Sequence, residues 1–85
     1  MSHKTIITKN SLLTMNLLEY LADNPTTIKD IPSGVSYVVF SEHDTKLNEY
    51  NAKLVEQLVE SGKKVVEATK TKNAKNPWKL HYIAA

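Results

Sequence analysis

Between residues 35 and 68 two β-branched apolar runs flank an amphipathic stretch, and this order constrains the fold more than any other feature of the chain. Val35-Ser36-Tyr37-Val38-Val39-Phe40 has apolar residues at both odd and even positions, so it reads as a strand covered on two faces and central in its sheet. Asp44 then precedes a helical repeat of Leu47, Tyr50, Leu54 and Leu58, with Val55 and Val59 beside them as the buried stripe. Lys46, Glu49, Lys53, Glu56 and Glu60 fall on the water side of that helix. Asp44 suits the N-cap and Gly62 the C-terminal stop. Residues 63–70 form a second strand centred on Val65 and Val66. A connection of this length makes the two strands parallel and the crossover right-handed.

The flanks complete a layered domain. Over residues 11–23, Leu13, Leu17, Tyr20 and Leu21, with Leu12, Met15 and Leu18 beside them, predict a helix with a wide apolar face, capped by Asn10 or Ser11. Asn24-Pro25 ends it, because proline disfavours helical backbone in the residue before it. Residues 5–8 carry a marginal strand signal, 26–30 suit one short turn, and Pro32-Ser33-Gly34 is turn chemistry. The turn at 73–77 leads into a third strand over 78–83, antiparallel to the second. The expectation is one α/β domain over 1–85: a small three-stranded mixed sheet with two helices, in the order α-β-α-β-β, ending in a basic hairpin at about 63–85.

Composition excludes several functions. With no cysteine among 85 residues there is no disulfide framework, thiol nucleophile, zinc finger or iron–sulfur centre. No apolar run approaches the roughly 20 residues that span a bilayer. The first nine residues hold only two consecutive apolar side chains, unlike a secretory signal, so a cytoplasmic location is expected. Residues 1–62 carry five lysines against eight acids, whereas 63–85 carry six lysines against Glu67 alone. Every cationic side chain other than histidine is lysine, so the bidentate guanidinium fork that reads guanine edges is missing. At this length only about two-thirds of the unfolded chain's surface is buried on folding, which leaves self-association as a way to cover the rest.

Four segments together carry a resemblance. Asn16-Leu17-Leu18-Glu19-Tyr20-Leu21-Ala22-Asp23-Asn24-Pro25, Ile31-Pro32-Ser33-Gly34-Val35-Ser36-Tyr37-Val38-Val39-Phe40, Asp44-Thr45-Lys46-Leu47-Asn48-Glu49-Tyr50-Asn51 and Glu60-Ser61-Gly62-Lys63-Lys64-Val65-Val66 resemble a family of short uncharacterised prokaryotic α/β proteins. The resemblance covers about residues 10–68. It implies a fold and a prokaryotic setting, and no activity. The basic extension, 69–85, departs from the pattern, so a function located there is not implied by it.

Three constellations bear on function. Glu42-His43-Asp44 lies where the first strand ends and a helix begins, a place where open α/β sheets bind ligands, and its side chains suit a divalent metal or acid–base work. The competing reading makes Asp44 a cap, Glu42 a dipole partner and His43 a solvated turn residue, and it is the stronger one. His3, His43 and His81 have no helical metal-site spacing, and Ser33, Ser36, Ser41 and Ser61 lack a nucleophile-elbow pattern. No catalytic residue, cofactor or metal ligand is assigned.

The second constellation is Lys63, Lys64, Lys70, Lys72, Lys75 and Lys79 interleaved with Trp78 and Tyr82, a positive surface with aromatic platforms suited to salt-sensitive, non-specific nucleic-acid binding. Against it, Trp78, Leu80 and Tyr82 share one strand face that equally suits a core, and edge lysines discourage aggregation without binding anything. The third is association with a second copy, through an uncovered sheet edge or apolar face with Tyr37, Phe40, Trp78 and Tyr82 as anchors; the alternative is a monomer whose first helix closes that face. The first-ranked reading is a small interaction or accessory module, self-associating and without catalytic apparatus. Nucleic-acid binding ranks second.

Overall fold

The computed structural model describes residues 3–83; Met1, Ser2, Ala84, Ala85 and the His3 side chain lie outside the described part. In chain order the elements are helix α1 (His3–Asp23), a 3-10 helix (Pro25–Ile28), strand β1 (Ser36–Ser41), helix α2 (Thr45–Glu60), strand β2 (Val65–Lys70) and strand β3 (Trp78–Ile83). The expected α/β class, with two helices and a three-stranded mixed sheet, is found. The expected five-element order leaves out the 3-10 helix, which Pro25 opens from within its first turn.

β1 pairs parallel with β2, and β2 pairs antiparallel with β3. The sheet order is β1-β2-β3, so β2 is central and β1 lies at an edge, contrary to the expectation for 35–40. Apolar residues on both faces of a strand report layers above and below it, and say nothing of neighbours to its side. Tyr37 and Val39 face α1, in a core with Leu17, Leu21, Ala68 and Trp78. Val38 and Phe40 face α2, in a second core with Val55, Val65, Leu58 and Val59.

α2 forms as its termini dictate. The Asp44 carboxylate accepts the Leu47 N–H at 3.1 Å, a cap three residues into the helix. At the other end the Lys63 N–H reaches the Leu58 carbonyl and the Gly62 N–H the Val59 carbonyl, both at 3.0 Å, with Gly62 at φ 79°. This paired closure needs the left-handed backbone that glycine adopts without strain. The buried stripe runs through Leu47, Asn51 and Val55, whereas Tyr50 and Leu54, expected inside, are exposed.

α1 begins at His3, well before the expected caps Asn10 and Ser11, and residues 5–8 are helical rather than extended. The β-branched run Thr5-Ile6-Ile7-Thr8 is overridden by tertiary contacts that hold the first two turns against α2. Ile6 is buried, the Lys9 ammonium meets the Asp44 carboxylate at 2.6 Å, and Asn10 pairs with Asn51. No helix among the described residues is long and apolar enough to cross a membrane.

Candidate functional site

The turn after β1 uses Asp44 structurally. One carboxylate oxygen accepts from the Leu47 amide and the other from Lys9, and these bonds, the Lys9 one foremost, hold its carboxyl below the ordinary carboxylate range. Both oxygens are therefore engaged. Glu42 and His43 approach no closer than 3.9 Å, with His43 mostly in solvent. Among the described residues no three histidine, aspartate or glutamate side chains converge to hold a metal ion.

Beside this turn lies a groove of about 280 Å³, with ionisable side chains beside Phe40 and Leu80, that residue types alone do not assemble. α2 covers β1 and the near side of β2, leaving the far side of that sheet face open. Parallel and antiparallel register bring Val38, Glu67 and His81 into one cross-strand row and Phe40, Thr69 and Lys79 into the next. Glu67, Thr69, Lys79 and His81 thereby line the groove with Glu42 and Asn48. Alternation along 63–70 and 78–83 puts these side chains on one face, but only the register of two strands puts Glu67 opposite His81.

The lysines do not form one surface. Lys63 and Lys64 precede β2, whereas Lys72 and Lys75 lie in the turn beyond its far end. At ~3.3 Å per residue Lys64 and Lys72 are roughly 26 Å apart along the strand direction. Lys79 is exposed on the groove face, while Lys70 lies on the opposite face with its ammonium 5.7 Å from the Trp78 ring centroid. Trp78 itself is only 4% exposed in the α1-side core, and its indole N–H donates to the Asn16 side-chain oxygen at 3.1 Å. Its ring is thus a core element and offers no stacking platform. Tyr82 lies half-buried on the same sheet face.

The carboxyl-terminal half of the free side of β1 is covered by two asparagines one turn apart on α2. Ser36 and Glu42 donate to β2, so the backbone groups of Tyr37, Val39 and Ser41 point outward. Asn48 accepts the Ser41 N–H at 2.9 Å and donates to the Ser41 carbonyl at 2.6 Å, copying the pairing of a neighbouring strand. Asn51, 1% exposed, donates to the Val39 carbonyl at 2.7 Å and exchanges hydrogen bonds with Asn10 of α1. On β3, Lys79, His81 and the Pro77 carbonyl face β2, so Trp78, Leu80 and Tyr82 aim their backbone groups outward. Among the described residues none of those outward groups on β3 has a partner beyond the sheet.

The largest apolar exposure is on α1. Its inner side buries Ile6, Leu17 and Leu21, with Leu13 and Tyr20 partly covered. On its outer side Ile7, Leu12, Met15 and Leu18 are exposed by 51%, 62%, 59% and 55%. A helix that meets its own fold on one side only does not need four large apolar residues on the other. The periodicity of residues 11–23 contained this signal, since Leu12, Met15 and Leu18 cannot share the face of Leu13, Leu17 and Leu21.

Comparison with protein-family descriptions, with curated proteins and with solved structures gives no match to this chain.

Proposed function

We propose that this chain is a small interaction module that self-associates and carries out no chemistry of its own. The observation that supports this reading is the second apolar face of α1, where Ile7, Leu12, Met15 and Leu18 are each more than half exposed. Burying such a face gains roughly 25 cal/mol per Å² of apolar surface removed from water. Sedimentation across a wide concentration series tests the proposal: the mass is expected to rise above 9.6 kDa with concentration, and a mass fixed at that value throughout would overturn it.

A second reading is favoured by the exposure of Lys72, Lys75 and Lys79 around one turn and the start of β3. It is non-specific attachment to nucleic acid through phosphate charge alone, without the indole stacking that Trp78 would have added. Affinity for a generic duplex or single strand is then weak and falls steeply with salt. Absence of binding at low ionic strength removes it.

A further inference from the structure

We infer that the outer face of α1 pairs with the same face of a second copy, the two helices running antiparallel about a twofold axis that crosses this face between Ser11 and Met15, level with Leu13. The inference rests on the self-association proposed above and specifies its surface and direction.

The outer face has the spacing of a helix–helix seam. Thr8, Ser11, Met15, Leu18 and Ala22 recur at alternating steps of three and four, with Ile7 and Leu12 on the two flanks. With the axis at that level, an antiparallel partner places Ser11 against the second copy's Met15, and Thr8 against its Leu18. Each small side chain then faces a large one, the arrangement that interdigitates without voids.

Charge selects the direction. The amino-terminal half of α1 carries Lys4 and Lys9 and no acid; the carboxyl-terminal half carries Glu19 and Asp23 and no lysine. Lys9 is held by Asp44 within the chain, whereas Lys4, Glu19 and Asp23 are exposed and form no ion pair among the described residues. Antiparallel pairing sets Lys4 level with the second copy's Ala22, between its Glu19 and Asp23. Parallel pairing would align like charges. Lys4 and Glu19 of one chain are about 22 Å apart along their helix, so they cannot pair within it.

A lipid surface is a poorer occupant, because the rim of this face bears carboxylates at one end and lacks the lysine and arginine border of an interfacial helix. A strand added at β3 would leave the α1 face uncovered.

The test measures the dimer dissociation constant by sedimentation for four forms of the full chain, with circular dichroism as the check on folding. Met15→Ser/Leu18→Ser is expected to weaken association at least about tenfold, since both positions lie outside the core. Lys4→Glu is expected to weaken it several-fold, and Lys4→Glu combined with Glu19→Lys and Asp23→Lys to restore it. The charge exchange also complements the helix dipole at both ends, so it does not threaten the fold. A wild-type chain that stays at 9.6 kDa overturns both self-association and this surface. A chain that associates equally well with Met15→Ser/Leu18→Ser overturns this surface alone and directs attention to the β3 edge. Weakening by the serine pair without rescue by the charge exchange overturns the antiparallel direction.

Discussion

The two helices of this small domain contrast in how completely the fold uses them. α2 has a capping carboxylate, a glycine closure and a single buried stripe, and the rest of its surface is largely polar. α1 is apolar on both its inner and its outer side. A helix whose ends and faces are all satisfied within the chain is explained by the monomer. The exposed side of α1, with Ile7, Leu12, Met15 and Leu18, is not used by the fold, and the self-association proposed above would use it.

The contrast between the two sides of α1 is sharpest in neighbouring leucines. Leu17→Ala removes a fully buried side chain between α1 and the sheet and is expected to cost about 2–5 kcal/mol of stability in denaturant unfolding. Asn51→Ala tests the polar join between α1, α2 and β1. It strips partners from the Asn10 amide and the Val39 carbonyl, and about 2–3 kcal/mol should be lost, with the loss reduced in an Asn10→Ala background. Gly62→Ala has open space around its added methyl group, so only the left-handed backbone opposes it, at about 1 kcal/mol by thermal or chemical unfolding.

Asp44 makes the comparison depend on pH, since it joins the start of α2 to Lys9 of α1. Its carboxyl titrates lower in the folded chain than in the unfolded one, so its contribution to stability is fully present above the ordinary carboxylate pKa and is lost as acid titrates the folded group. Melting curves of wild type and Asp44→Asn should therefore differ at neutral pH and converge in acid, below about pH 4. The smallest effect is expected at Leu18→Ala, within about 0.5 kcal/mol for the monomer, because that side chain touches water. A loss as large as that of Leu17→Ala would show that the outer face of α1 is not a free surface.

Local chemistry made α2 legible from the sequence: Asp44, Leu47, Val55 and Gly62 all act as their types and spacing indicate. Asn51 escaped notice because an asparagine inside a helix carries no apolar signal, and its burial depends on meeting Val39 and Asn10, 12 and 41 positions away. The start of α1 was hidden for a similar reason, as the β-branched run at 5–8 favours extended backbone until Lys9, Asn10 and Ile6 find α2. The edge position of β1 could not be read from a strand apolar on both faces. Of the groove, the residue types were visible and their assembly was not, since Glu67 meets His81 only through the pairing of β2 with β3.

The amide groups of Asn48 and Asn51 give the sheet a direction of growth. With Val39 and Ser41 fastened to α2 on one rim, an incoming strand meets an unbroken row of free backbone groups along Trp78, Leu80 and Tyr82. Strand addition is thereby biased towards the β3 rim, and full pairing along the β1 rim would first have to unfasten two side chains from α2.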